Sequence, residues 1–255
     1  MRRIFLAAMA AVVLGAAGSA YAASDLSAGV RGAYWFPELS GDAQTTTNGV
    51  PDTRFDVKDT LGMQDENIPF GEAFLRYGRT TLRVGYANLS FDGGKTLTDN
   101  VTFNGIVYSV SDNVVSKLDM KMADLDVQVD LFRPDLGVVN LNLGLIVKVK
   151  YVDGEVELRG TARSERKDFK APIPMIGAAV GVGALKDVLR ADARATGVAW
   201  SGNHLYDADV FASLAPLPFL RIQGGYRFID LKIDDSDLLA SFRLKGPYAG
   251  AQLSF

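Results

Sequence analysis

Between Ala123 and Phe132 the chain reads ADLDVQVDLF. Ala123, Leu125, Val127, Val129 and Leu131 are apolar, and Asp124, Asp126, Gln128 and Asp130 alternate with them. A period of two predicts a strand with a greasy face and an acidic face. The same period predicts nine further strands. They cover about Leu26–Phe36, Ile68–Tyr77, Thr81–Asp92, Val138–Val152, Ile173–Leu185, Val188–Trp200, Leu205–Leu214, Phe219–Lys232 and Leu238–Phe255, the last with a bulge at Gly246-Pro247. The Val188–Trp200 segment is the least decided. In LKDVLRADARA, Leu185, Val188, Leu189 and Asp192 also sit at helical spacing.

The connections alternate between long and tight. Long polar stretches follow the first, third and fifth strands. They are 37–67, a stretch with turn signals at Gly93-Gly94 and Asn104-Gly105, and the run to Pro172. Tight turns are expected at Tyr77–Thr80, Arg133–Gly137, Lys186-Asp187 and Ala215–Pro218, and short ones near Ser201 and Asp235. Long loops at one end and tight turns at the other suit a closed up-and-down barrel with an even strand count. Ten strands satisfy that, and eight is the alternative if the Val188–Leu214 region is misread.

The orientation of the faces decides the class. With the continuous apolar face outward, the lumen receives mostly charges. The basic residues would be Arg31, Arg76, Arg83, Lys148, Lys150, Arg190, Arg194, Arg221 and Arg227; the acidic ones Glu72, Asp124, Asp126, Asp130, Asp192, Asp207 and Asp209. Acidic strands lie between basic ones, so antiparallel pairing sets acid within ~5 Å of base. Tyr34, Phe36, Tyr151, Tyr206 and Phe255 fall near strand ends on the outward parity, as interfacial aromatics do. A soluble periplasmic barrel with the charged face outside is the competing expectation.

The N-terminus bears on the compartment. Arg2 and Arg3 precede the apolar run Ile4–Gly18, and Ala20-Tyr21-Ala22 followed by Ala23 forms a small-x-small cleavage site. This reads as a secretory signal peptide over 1–22, followed by one barrel domain over 23–255. The longest later apolar run, Ile176–Leu185, is about half the ~20 residues of a membrane helix. With no Cys, thiolate metal sites and disulfides are excluded. A net charge of −3 argues against nucleic acid as a partner.

The last ten residues, GPYAGAQLSF, resemble the C-terminal signal of bacterial outer-membrane barrels: a Gly, a hydrophobic residue and a final aromatic, here Gly250, Leu253 and Phe255. The resemblance implies an outer-membrane location and recognition by the barrel-assembly machinery. GGYRF at Gly224–Phe228 is similar, more weakly, to the penultimate strand of OmpW-like small barrels. That likeness implies a narrow route for small or hydrophobic solutes opening sideways, although OmpW-like barrels have eight strands.

Chemistry is sparse. The single His, His204, lies near Ser201 and Asp207 in WSGNHLYDAD, and it reads as a turn residue rather than a catalytic base. Gly181-Val182-Gly183 lacks the Lys-Ser/Thr of a phosphate loop and reads as a closely packed strand. Asp234–Asp237, DDSD, lacks the Gly and distal Glu of a calcium loop and reads as a hairpin turn. No cofactor, metal site or enzyme activity is expected.

The expectation is therefore an all-β, single transmembrane antiparallel barrel with long extracellular loops and tight periplasmic turns. Nine bases against seven acids suit mutual pairing and an occluded lumen better than an ion-selective pore. An envelope scaffold or interaction protein follows, contacting outer-membrane lipid and lipopolysaccharide. A narrow channel for small solutes is the alternative.

Overall fold

A computed structural model describes residues 26–161, 164–235 and 238–255. The expected signal peptide, its cleavage site at Ala20, Ala22 and Ala23, and part of the DDSD turn lie outside them.

The strands are β1 (Leu26–Trp35), β2 (Glu38–Thr47), β3 (Val50–Pro51), β4 (Phe55–Asp56), β5 (Ile68–Tyr77), β6 (Thr80–Thr96), β7 (Val101–Phe103), β8 (Ile106–Tyr108), β9 (Asn113–Phe132), β10 (Val139–Arg159), β11 (Ser164–Ala184), β12 (Leu189–Trp200), β13 (Asn203–Leu217), β14 (Leu220–Asp235) and β15 (Leu238–Ser254). Ten of them pair antiparallel in the order β1-β5-β6-β9-β10-β11-β12-β13-β14-β15. The ring closes where β15 meets β1, from Gly29 opposite Ser254 to Trp35 opposite Tyr248. The barrel thus has ten strands rather than eight, and 189–200 is strand, not helix. At the closure, a Cβ on Gly250 would lie 2.3 Å from the Gly32 carbonyl oxygen, so the tight seam requires glycine there.

The outer wall carries an apolar band. Leu125, Val127, Val129 and Leu131 on β9 are exposed, as are Leu141, Leu143, Leu145, Val147 and Val149 on β10. Opposite them along β9, Asp126, Gln128 and Asp130 are buried. Such a greasy exterior is stable only against lipid. The ten residues of β1, rising ~3.4 Å each and tilted by ~40°, span about 25 Å, the height of a membrane barrel's apolar belt. Exposed Tyr34, Phe36, Tyr151 and Tyr206 rim the belt toward the long loops, joined by Tyr86 and Trp200. Phe255, Tyr77, Phe132 and Phe219 rim the tight-turn end.

The strands run well past this belt, and several expected loops are strand. β2 continues β1 after a break at Phe36-Pro37 and pairs with β15 from Glu38 opposite Lys245 to Thr45 opposite Leu238. Glu38–Thr47 is therefore not a loop. β10 and β11 stay paired to Arg159 and Ser164, so the loop expected up to Pro172 is a long hairpin. Gly93-Gly94 lies within β6 instead of marking a turn. Asn104-Gly105, with φ of 50° and 76°, does turn the β7–β8 hairpin. The β14–β15 register runs unbroken through Gly246-Pro247, so no bulge forms there. The chain instead breaks on the facing side, at Phe36-Pro37, where Phe36 N–H still donates to the Pro247 carbonyl at 3.0 Å.

Above the belt the polarity of the two faces is exchanged. On β9 the outer residues become Lys117, Asp119 and Lys121, while Val114, Leu118, Met120 and Met122 point inward and are buried. On β10 Asp153, Glu155 and Glu157 turn outward, and Val152, Val156 and Leu158 inward. From the belt into this extension the period of two does not slip, the β9–β10 register shifting only at the tight-turn end, between Leu143 and Gly144; only the surroundings change. Outside is now water, and inside is a plug. Phe55, Val57, Leu61 and Met63 from the first connection, and Val101, Phe103 and Tyr108 from the β7–β8 hairpin, are all buried against the inward wall residues. Bonds between hydroxyls and backbone hold the plug: Asn104 N–H donates to Thr45 Oγ1 at 2.8 Å, and Ser116 Oγ donates to the Leu61 carbonyl at 3.1 Å.

The wall is uneven. β11 pairs with β12 only from Ala184 opposite Leu189 up to Ile176 opposite Gly197. The next outward-parity positions of β11 are Pro174 and Pro172. Their register with β10 is continuous, so their nitrogens face the β12 side. Proline has no N–H to give, and the ladder stops. Beside this seam the outer wall holds a groove of about 640 Å³, lined by Ile176, Gly197, Val198, Tyr206 and Phe228, with Asp207 at its floor.

Candidate functional site: the charged lumen

Inside the belt the strands point their charges at one another. The middle tier centres on Lys150, fully buried on β10. Its Nζ lies 2.7 Å from Asp124 of β9 and 3.1 Å from Asp207 of β13. Lys148 reaches the same Asp207 at 3.3 Å, and Arg227 of β14 at 3.0 Å. Three cations thus converge on one carboxylate, with Asp124 as a second anion, 3.7 Å from Arg227.

A second tier crosses the lumen. Arg194 of β12 reaches Glu72 of β5 at 3.2 Å and Asp209 of β13 at 2.8 Å. β5 and β12 are five steps apart around the ring, so this link joins opposite walls. Asp209 also takes Arg31 at 3.2 Å and the Tyr248 hydroxyl at 2.7 Å. Arg83 bridges Asp126 at 3.0 Å and Glu72 at 3.8 Å. Aromatic faces help hold the guanidiniums: Arg31 lies 4.6 Å from the Phe211 ring, and Arg227 5.5 Å from Trp35.

The third tier faces the tight turns. Arg190 holds Asp192 at 2.8 Å and Asp187 at 3.3 Å, and it donates to Asn142 and Asn140. Burial pushes the Asp187 carboxyl up, but the hydrogen bond with Asn140 and the charge of Arg190 outweigh it and hold the group below its usual range. Gly181 and Gly183 make room for this cluster. A Cβ on Gly181 would meet Asn142 Oδ1 and Asp192 Oδ1 at 2.3 Å.

Register alone would pair Lys148 with Asp126, which sit opposite each other. The side chain turns instead to Asp207, across the lumen. Of the sixteen charges read as luminal, three hold no ion pair among the described residues. Asp130 is buried and accepts from Gln128 Nε2 at 2.6 Å. Arg76 donates to Thr81 Oγ1 at 3.1 Å, and Arg221 to Ser213 Oγ at 3.4 Å.

His204 and Asp207 lie on opposite faces of β13, so they form no triad with Ser201. His204 looks out from the wall, stacks on Tyr206 at 5.1 Å and meets Asp230 at 3.3 Å. Asp230 is also held by Arg243 at 2.8 Å. Sequence reasoning missed Asp230 and Arg243, which sit on the outward parity above the belt. No group of three or more His, Asp or Glu suited to a metal ion exists among the described residues.

Two cavities divide the lumen. A cup of about 580 Å³ opens at the tight-turn end and is roofed by Arg31, Glu72 and Arg194. Above it, the middle tier leaves only about 40 Å³. Above that sits the plug.

No family model matches the chain, and no curated protein does. Among solved structures it is similar to the outer membrane protease OmpT from Escherichia coli, with TM-score 0.49, 9% identity, and coverage of 92% of this chain and 98% of that one. Neisserial surface protein A has TM-score 0.35, 11% identity, and coverage of 90% and 97%. Ail, the attachment invasion locus protein of Yersinia pestis, has TM-score 0.33, 11% identity, and coverage of 91% and 99%. The closed ring of ten strands, its apolar belt and its two aromatic rims make this chain a small β-barrel of the bacterial outer membrane.

Proposed function

We propose that the protein is a non-conducting barrel that serves as an envelope scaffold or interaction protein. The observation that carries this reading is the double closure of the lumen. The ion-paired tier leaves about 40 Å³, and the plug fills the space above it. A ten-stranded ring is narrow to begin with. The strands that continue past the belt form a rigid outward extension, and its outer face, with Lys117, Asp119, Lys121 and Glu155, is free to meet lipopolysaccharide or a partner. Purified protein in planar bilayers is expected to show no stable single-channel openings. Reproducible openings of uniform size would sink the scaffold reading.

A second reading rests on the seam at Pro172 and Pro174: sideways passage of small hydrophobic solutes, as the OmpW-like resemblance implies. The groove of about 640 Å³ beside that seam is lined mainly by apolar residues and lies where the ladder is open. Replacing both prolines with Thr restores two N–H donors, which would face Ala199 and Ser201 if the register continued. On this reading, the double variant takes up naphthalene into proteoliposomes more slowly than the wild type. Unchanged uptake would remove the lateral route.

A further inference from the structure

The cup at the tight-turn end differs from the rest of the lumen in how its cations are answered. Arg31, Arg83, Lys148, Lys150, Arg190, Arg194 and Arg227 each hold at least one carboxylate. Arg76 and Arg221 hold none among the described residues, and both line this cup. Each spends one donor on a hydroxyl, at 3.1 Å and 3.4 Å. A guanidinium has five donors in a planar fork, so each keeps most of its capacity for something else.

Their placement is convergent. β5 and β14 are separated by β1 and β15, three strand spacings of ~4.8 Å along the wall. Two arginine side chains reaching inward from that span narrow it toward the size of a diphosphate or a sugar phosphate. The cup's volume, about 580 Å³, admits such a molecule with its water. Its roof is already neutralised by the Arg31, Glu72 and Arg194 contacts, so an entering anion is not drawn further up.

We propose that this cup is a binding site for a small anion bearing phosphoryl groups, held by Arg76 and Arg221 and entered from the periplasmic end. The fork geometry favours phosphoryl over a lone carboxylate. Asp130 acts on Arg76, and Asp187 and Asp192 act on Arg221, only from beyond ion-pair distance, so both planar forks stay open to pair bidentately with phosphate oxygens. Phosphoryl oxygens have two sources here: a soluble periplasmic solute, or a phospholipid headgroup from the inner leaflet reaching round the turns. The site does not depend on whether the lumen conducts.

The test is titration of the full barrel, in phosphatidylcholine nanodiscs at low ionic strength, with inorganic pyrophosphate followed by calorimetry. Saturable one-to-one binding is expected, weakening as salt is added. Arg76→Gln and Arg221→Gln should each weaken it at least about tenfold, the loss of one charge-assisted bond. Neither substitution breaks an ion pair, but Arg76→Gln removes a cation whose charge acts on the buried Asp130, so wild-type heat-modifiable gel mobility is checked for both variants and Arg221→Gln carries the test alone if Arg76→Gln fails to fold. Arg79→Gln is the control, since Arg79 is exposed in the Tyr77–Thr80 turn and does not line the cup; it should bind as the wild type does. Repeating the titration in nanodiscs containing phosphatidylglycerol separates the sources. Unchanged affinity assigns a soluble ligand, and competitive loss assigns the headgroup phosphate to the same site. Absence of saturable binding to the wild type, or equal binding by the Arg76→Gln/Arg221→Gln double variant, would overturn the proposal.

Discussion

Replacing Asp207 with Leu is expected to destabilise the barrel by about 3–5 kcal/mol, the range for breaking a buried ion pair from one side. The size follows from what the substitution leaves behind. Lys148, Lys150 and Arg227 all lie within 3.3 Å of this carboxylate. Without it, three cations share Asp124 in a space of about 40 Å³. Lys150 is fully buried and cannot swing to water. Asp207→Asn keeps an acceptor oxygen and a similar shape, so its loss should be smaller but still clear. Urea unfolding in detergent, read by tryptophan fluorescence and by heat-modifiable gel mobility, measures both. A loss below about 1 kcal/mol for the Leu variant would show that the middle tier is solvated and the lumen less closed than its geometry implies.

Val147→Arg should cost about 2–4 kcal/mol, the penalty for a cation on the lipid face at the bilayer midplane. Val147 is 63% exposed in the middle of the β10 belt segment. Its neighbour Lys148 points the other way and is already charged. The same substitution at Leu26, where β1 begins at the periplasmic rim, should cost only about 0–1 kcal/mol, because the side chain snorkels to the headgroups. The contrast between the two positions tests the belt and its height together. Equal effects at Leu26 and Val147 would place lipid elsewhere, and a neutral Val147→Arg would favour a barrel bathed in water.

The two substitutions probe the two faces of one alternation. An occluded lumen and a greasy exterior arise from the same period-two pattern, so a one-residue slip would exchange them. The lumen pairs draw on eight strands for their acids and bases, which makes them a check on register. Arg83 opposite Asp126 and Lys150 opposite Asp124 are satisfied only when β6, β9 and β10 are aligned as observed.

Much of this was legible along the chain. The alternation of Ala123–Phe132 set its own strand and face, since apolar residues at i and i+2 share a side whatever else happens. Strand count, parity and the acid-beside-base arrangement followed from repeating that reading ten times. Lys150 with Asp124 and Arg83 with Asp126 are direct cross-strand neighbours, and neighbours in a ladder follow from order alone. Three things awaited the folded ring. One was where the environment changes along a strand: Leu118, Met120 and Met122 continue the phase of Asp124, but only the plug beside them makes that face a dry core. Another was contact across the lumen, such as Arg194 with Glu72, because partners on opposite walls share no register. The last was the unanswered pair, Arg76 and Arg221. Sequence placed them inside with the other bases, but which cation lacks a carboxylate depends on where every other side chain has gone, and only closure of the barrel decides that.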